Sequence, residues 1–579
     1  MKNKNGLSLT FAALFENGWG WLVPYLLIYV YSWKLDALTT AQVLFIFQIF
    51  HISFLTLLAC FFISKFKTFS KESLLFFGFL FLFFYLPGAY LEFPSDPWMH
   101  FWRIFRWQNM LIFAGHESAN KFAYFWGYTT MSWVPILRHR MALDFYSAFS
   151  QLFLSYQIFR LSLRLGFSRR WSYLQTFSFA IFFGTNIFGM RYYALSSTLL
   201  ALGGYFAFLE LTLDSSRKIK AKILPLFLLL FLICFNHAEE ILLLFISLSA
   251  LFLFWVYQNL KEANKSIFIK ICFAVVFIQI LTGFFIKSFF PELYADIGLF
   301  QISPFGGFKV WHDGYRFRDT LGAHGLLGIL FALLYFKKNP KLGLLTLFPT
   351  AACLLPWTTI FLICVLRASP DTAGVAYRVL YAFPASFALV FGLQNLTRYL
   401  SERYQFKHAI YFAPLIVLAL AWSPEKPWRG RLFFQTLKVP ESRSMKQLAL
   451  TADWLKKKFW IGMETQIVSD PITMYVLSCH LGLARGPLYG FSSSMDIIKS
   501  PEDLNHFINT KGPRLALVGK PELAPESSPS LVAELSHHWS SDDGDLKKSF
   551  LNFSNFEGVL IQKKWPLEDA PPFYKAYIP

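Results

Sequence analysis

Two short stretches of this chain carry residues of types and spacings suited to chemistry. The first, "SDPWMHFWR", holds Asp96, His100 and Arg103 among Trp98, Phe101 and Trp102. If the stretch is helical, Asp96 and His100 share a face, four residues apart. A carboxylate there serves either as general base toward a hydroxyl or amine, or as a ligand for Mg²⁺ or Mn²⁺. The plainer alternative is that Asp96 or Ser95 caps a helix with Pro97 in its first turn. The second stretch, "FNHAEE", sets His237, Glu239 and Glu240 in the middle of an otherwise apolar run. These three are acid, base or metal-ligand candidates, and ionisable groups in such surroundings are functional candidates by default. Arg378 opens the apolar run "YRVLYAFPASFALVFG". It either snorkels to a membrane interface or binds a phosphate through two parallel hydrogen bonds.

The elements that must position these residues are membrane helices. Of 579 residues, 55% are hydrophobic and only 15% charged, which excludes an ordinary soluble fold. Apolar runs of spanning length recur up to Trp422 and predict about thirteen spans. They are expected at Asn17–Trp33, Ala41–Ser64, Ser73–Glu92, Leu143–Leu165, Trp171–Met190, Tyr193–Leu213, Ile223–Phe235, Glu239–Tyr257, Ile267–Phe289, Leu321–Phe336, Leu342–Leu366, Ala376–Leu396 and Ala409–Trp422. The net charge of +19 is concentrated in short loops such as "GFSRRW", "SSRKIKAK" and "KKNPK". That is a positive-inside pattern, and no nucleic-acid motif accompanies it. With these loops cytoplasmic, the N-terminus lies inside, and the loop at Phe93–Met141, the segments 291–320 and 367–378 and the C-terminal part lie outside.

The run from Ile223 to Tyr257, as one helix, would be about 52 Å long against a hydrocarbon core of about 30 Å. Two helices meeting at an external, watery turn around His237 are therefore expected. The alternative is one tilted helix with the polar group packed in the bundle.

Residues 424–579 read as a soluble α/β domain beside a membrane domain at 1–423. "SMKQLALTADWLKKKF", "PITMYVLSCHLG" and "PEDLNHFINT" suit helices, whereas "TQIVSD", "PRLALVG" and "GVLIQKK" suit strands. No Gly-rich phosphate loop is present, so no nucleotide is assigned. Six cysteines without paired spacing indicate neither a disulfide framework nor a zinc site.

Several segments together resemble the GT-C superfamily of membrane glycosyltransferases. "SDPWMHFWRI" is similar to the aspartate motif that opens the first long external loop of oligosaccharyltransferase catalytic subunits. The stretch from "LRLGFSRRW" to "FAFLEL" resembles the helix pair that follows, "AYRVLYAFPASFALVFG" the late arginine-bearing span, and "TADWLKKKFWIGMETQIVSD" the start of the external domain in bacterial members. "VWHDGYR", with Trp311 and Asp313, is similar to the acceptor motif of oligosaccharyltransferases, although here it lies between spans. The aspartate loop follows the third span, not the first, which two additional N-terminal spans explain.

The resemblance implies a polytopic α-helical, GT-C-like inner-membrane protein with an extracytoplasmic α/β domain. It would transfer a sugar from a polyprenyl-phosphate-linked donor to a glycan, lipid or protein acceptor, with inversion. Asp96 would be the base, with His100 beside it. Arg378 would hold the departing phosphate, and Arg103, His237, Glu239, Glu240, Trp311 and Asp313 would line the substrate cavity. A divalent cation, Mg²⁺ or Mn²⁺, would fit the carboxylates, and the sequence specifies none. Two rivals stand beside it: a flippase or transporter of lipid-linked glycans, which also places charges in a broken helix, and a non-catalytic assembly subunit with the same fold.

Overall fold

The computed structural model of the chain describes residues 70–86, 100, 102–104, 123–124, 126–127, 139–182, 195–237, 239–289, 317–354, 380, 382–406, 408–421, 443–459, 467–469, 477, 480–481, 500–511, 513, 515–519, 557–569 and 574–579. Up to Ala421 the described elements are helical: α1 (Lys71–Tyr85), α2 (His139–Arg164), α3 (Arg169–Ile181), α4 (Ser197–Leu213), α5 (Ile219–Asn236), α6 (Glu239–Asn259), α7 (Glu262–Phe289), α8 (Phe317–Leu334), α9 (Pro340–Leu354), α10 (Ser386–Tyr404) and α11 (Ala409–Ala421).

Local chemistry sets the helix ends. Ser70 begins α1 and Ser196 begins α4, each with its hydroxyl accepting a first-turn N–H, from Ser73 at 3.3 Å and from Thr198 at 3.1 Å. The reversal between α2 and α3 is a glycine C-cap. Gly166 takes φ 92°, its N–H donates to Leu163 O, and the next N–H, of Phe167, reaches back to Ser162 O. These are the two bonds of a Schellman ending, which needs a left-handed residue at that position. The result is an antiparallel α2–α3 pair. A second glycine governs the contact of α8 with α10, because a Cβ on Gly328 would lie 2.2 Å from the carbonyl oxygen of Ala385.

Helix α4 is the centre of the bundle. All of its residues from Leu199 to Leu211 except Phe208 are buried, and it packs against α2, α5 and α6. One continuous apolar core runs from Leu80 and Phe84 of α1 through Leu154, Ile158, Tyr205 and Phe206 to Phe387 and Val417. Burial of this kind removes apolar surface from water, or from lipid into close packing, and fixes the helix order.

Two described helices are long and apolar enough to cross a membrane: Ile219–Asn236, with mean hydropathy 2.0, and Glu240–Asn259, with 2.2. Three shorter apolar helices are Ser197–Leu213, Leu321–Leu334 and Ile410–Ala421. The expected spans Asn17–Trp33 and Ala41–Ser64 lie outside the described residues.

From Arg443 onward helices and strands mix: α12 (Arg443–Lys458), β1 (Ile467–Val468), α13 (Pro501–Lys511), β2 (Leu515–Gly519), α14 (Glu557–Gln562), β3 (Leu567–Asp569) and β4 (Tyr574–Tyr577). The sheet order is β1-β2-β4-β3, with β1 parallel to β2 and the other two pairs antiparallel. Val468, Ala516 and Val518 of the sheet meet Leu504, Ile508 and Leu560 of the helices in a small core.

One expected strand is corrected. "GVLIQKK" is helical over Glu557–Gln562, and the sheet is completed instead by the C-terminal strands β3 and β4. A run of four apolar residues is compatible with either period. Here the backbone bonds are local, Lys563 N–H donating to Val559 O at 3.1 Å, and Leu560 alone is fully buried in the core.

Candidate functional site

Residues 100, 102–104, 123–124 and 126–127 are helical and lie against the end of the bundle formed by the start of α2 and the end of α5. His100, Trp102, Ile104, Tyr124 and Trp126 are buried. Ile104 and Tyr146 of α2 both close on Gly127, within 3.3 Å of where its Cβ would stand. The apolar residues of the stretch thus dock it, and its polar residues meet one another.

Tyr124 is their meeting point. Its hydroxyl lies 2.5 Å from Nδ1 of His100 and accepts a hydrogen bond from Nη1 of Arg103 at 3.1 Å. The imidazole stacks on the phenol with ring centroids 5.7 Å apart, and the Arg103 guanidinium lies 5.7 Å from the phenol centroid. A cation over an aromatic face is attracted by its quadrupole.

The second predicted group sits where α5 gives way to α6. His237 has extended backbone angles, φ −158° and ψ 107°, so the expected break in the long apolar run is present. Its Nδ1 donates to Oε2 of Glu240, the second residue of α6, at 2.6 Å. A carboxylate that holds Nδ1–H leaves Nε2 as the nitrogen able to accept a proton or bind a cation. The expectation of a watery turn is corrected: the Glu240 side chain is 4% exposed and that of His237 19%. The polar group is packed in the bundle, where the imidazole supplies the hydrogen bond that water would otherwise give.

Asn236, the last residue of α5, joins the two groups. Its Oδ1 accepts from the backbone N–H of Ala123 at 2.8 Å, while its Nδ2 donates to Leu232 O at 2.8 Å. The carbonyl of Ala123 in turn accepts from the Tyr146 hydroxyl at 2.8 Å. Both backbone groups of a buried residue are thereby satisfied. The Tyr124 cluster is fixed one residue from a contact with the residue preceding His237.

The structure thus joins His100 and Arg103 through Tyr124 and pairs His237 with Glu240, and the Ala123–Asn236 hydrogen bond links the segments that carry the two pairs. Glu239 begins α6, and its side chain lies outside the described residues, as do Asp96, Trp311, Asp313 and Arg378. Tyr124, Asn236 and Tyr146 were not singled out in the sequence. The only signal for Asn236 is its place beside His237, and Tyr124 is one aromatic residue among many in "KFAYFWGYTT". Among the described residues no three His, Cys, Asp or Glu side chains assemble as a metal-ligand set. The expected Mg²⁺ or Mn²⁺ finds one described candidate pair, His237 and Glu240, which are engaged with each other, so no step is routed through a cation.

A second ionisable cluster lies where α2 and α4 end. Arg160 and Arg164 both bind Oε1 of Glu210, at 3.0 and 2.9 Å, and Arg164 and Arg217 bind Oδ2 of Asp214, at 2.9 and 3.2 Å. Burial pushes the Asp214 carboxyl up, but hydrogen bonds from Ser216 and the charges of Arg164 and Arg217 outweigh it and hold the group below the usual carboxylate range.

No protein-family model matches the chain, and no curated protein does either. Among solved structures, the chain is similar to the oligosaccharyltransferase of Archaeoglobus fulgidus in several states. With the form in complex with Zn and sulfate it shares 14% identity over 82% of this chain and 70% of that one, at a TM-score of 0.43. For the complex with an inhibitory peptide and a dolichol-phosphate the values are 11%, 86%, 72% and 0.41. For the form tethered to an acceptor peptide containing the NVT sequon they are 13%, 89%, 74% and 0.42.

Proposed function

We propose that this chain is an integral-membrane glycosyltransferase of GT-C type. It moves a sugar from a polyprenyl-phosphate-linked donor to a glycan, lipid or protein acceptor on the extracytoplasmic face, inverting the anomeric centre. The observation that carries the reading is the Ala123–Asn236 hydrogen bond at 2.8 Å. It ties the loop that bears the resemblance to the aspartate motif to the helix break that bears His237 and Glu240. Residues 123 and 236, more than a hundred positions apart, meet at one end of the bundle, the first beside Tyr124, which holds His100 and Arg103, and the second beside His237.

In this proposal residues 1–423 form the membrane domain and 424–579 an extracytoplasmic domain, with the N-terminus in the cytoplasm. Asp96 deprotonates the acceptor, which attacks the anomeric carbon, and the electron pair of the broken bond leaves with the lipid phosphate. That phosphate is a good leaving group, so the protein's task is to orient and to stabilise charge. Arg378 pairs with the phosphate. Arg103, His237, Glu239 and Glu240 line the cavity, and Trp311 and Asp313 contact the acceptor.

The test is sugar transfer by the purified full-length chain from synthetic polyprenyl-phosphate and polyprenyl-diphosphate sugars. Asp96→Asn keeps size and capping ability but removes basicity, so transfer is expected to fall about a hundredfold or more. A parent that transfers nothing from either donor class, while hydrolysing neither, overturns the reading.

A further inference from the structure

On the reading of Arg378 given above, we propose that Tyr205 is a positioning residue of the site. With Ser247 it clamps the carbonyl of Ala382, and this clamp sets where Arg378 stands relative to His237 and Glu240.

The span expected at Ala376–Leu396 is α10 only from Ser386 onward. Pro384 carries no N–H and biases Phe383 away from helical backbone, so the sequence itself breaks the span there. Helix α10 opens with a tight turn, in which Phe387 N–H donates to Pro384 O at 3.1 Å. Leu380, Ala382 and Phe383 precede it and are buried in the bundle core. Irregular backbone inside a membrane bundle is tolerated only where its polar groups find partners in the protein. The Ala382 carbonyl has two. The Tyr205 hydroxyl of α4 donates to it, and the Ser247 hydroxyl of α6 lies 3.3 Å from the same carbonyl oxygen and 2.7 Å from the phenol oxygen. Tyr205 and Ser247 are fully buried, each near the middle of its helix, so the grip is at the centre of the bundle.

Other contacts hold the segment further downstream. Gln175 of α3 donates to Ser386 Oγ at 3.1 Å, and α8 closes on Ala385 at Gly328. Both fix where α10 begins. Tyr205 and Ser247 grip the chain four residues earlier, on the side that leads to Arg378. Four residues of chain span at most about 14 Å, so a fixed Ala382 confines Arg378 to that radius around it. Ser247 follows Glu240 by seven residues on α6, close to two turns, so the two share a face and are about 10 Å apart along the axis. Both are buried. The clamp therefore keeps Arg378 within reach of the level of the His237–Glu240 pair, where the departing phosphate must be met.

The test measures binding of a short-chain polyprenyl monophosphate to the purified full-length protein, in a double-mutant cycle of Tyr205→Phe and Arg378→Ala. Tyr205→Phe keeps the ring in the core and removes only the hydroxyl. It is expected to weaken binding about tenfold when Arg378 is present and no further when Arg378 is replaced. A tyrosine that only stabilises the fold would lower binding alike in both backgrounds. Equal losses, or no loss in either, overturn the proposal. Should Tyr205→Phe not fold, Ser247→Ala leaves the Tyr205–Ala382 bond in place and enters the same cycle, with an expected loss of about threefold confined to the Arg378 background.

Amide hydrogen exchange separates the clamp from the site reading. In Tyr205→Phe, exchange at 382, 383 and 385–388 is expected to quicken while that at 239–243 stays as in the parent. A parent that binds no polyprenyl phosphate refutes the role given to Arg378, and with it this proposal, while quickened exchange still shows the clamp. A parent whose binding depends on Arg378, but in which Tyr205→Phe changes neither binding nor exchange, leaves the site reading standing and removes Tyr205 from it.

Discussion

Two ends of the helical bundle hold clusters of ionisable residues, and they differ in how the charges are bonded. At one end three arginines, Arg160, Arg164 and Arg217, share two carboxylates, Glu210 and Asp214, which are 2% and 1% exposed. Every member meets an opposite charge, and the set joins α2, α4 and the turn after it. At the other end His237 has one carboxylate partner, and His100 and Arg103 share one phenol. The first pattern spends charge on charge and stabilises a joint. The second spends hydrogen bonds on orienting single groups. A count of charged residues does not separate the two, whereas their partners do.

The comparison is most open to attack at Glu240. Glu240→Gln keeps the shape and removes the charge that holds Nδ1–H of His237, and transfer is expected to fall about a hundredfold with the helices intact. Transfer at the parental rate would reduce this pair to a packing device, like the one at the opposite end. A smaller effect is expected from Arg164→Ala, which removes charge-assisted bonds to both Glu210 and Asp214. Thermal unfolding in detergent should show a loss of about 2 kcal/mol, with transfer per folded molecule near the parental value. A loss of transfer without a loss of stability would mean that the two ends are not separable.

Asn236→Leu keeps the branched heavy-atom skeleton but cannot accept from Ala123. Loss of a buried hydrogen bond worth about 1.5 kcal/mol lowers transfer about tenfold, and hydrogen exchange in residues 123–127 should quicken while that in α4 stays as it was. Unchanged exchange there would show that the loop is held without Asn236.

The smallest effect is one of pH. The Asp214 carboxyl is held below its ordinary value, so its share of stability is complete above the unfolded value, about 4, and is lost as pH falls through the lowered folded value. Exchange of amides 214–218, corrected for the intrinsic rate, is expected to be flat from pH 7 to about 4 and to rise below it. A rise already at pH 6 would place the sensitive group elsewhere.

Much of this arrangement is readable from residues alone, and the reasons are local. A 35-residue apolar run cannot be one span, and its charges at 237–240 mark where it breaks. Likewise Gly166 after an apolar period marks the end of α2. What is unreadable depends on the third dimension. Asn236 is an ordinary polar residue until Ala123 is found beside it. Glu210, a single acid in "FAFLELTL", looks like an interruption of an apolar helix. Its meaning comes from Arg160 and Arg164, which are four residues apart on α2 and so share a face. The helix over Glu557–Gln562 was missed because four apolar residues have no decisive period, and the strands that complete the sheet lie beyond it, in the last thirteen residues.

The pairing of Glu210 with Arg160 and Arg164 also bears on how such a chain is made. A ribosome delivers residues in order, so the arginines of α2 emerge before the glutamate of α4. An acidic helix that leaves the insertion machinery then finds its counter-charges already waiting, and the cost of a carboxylate among lipid tails is never borne alone. The double variant Arg160→Ala, Arg164→Ala would deny the glutamate these counter-charges as it is inserted. The expected consequence is lower yield at synthesis.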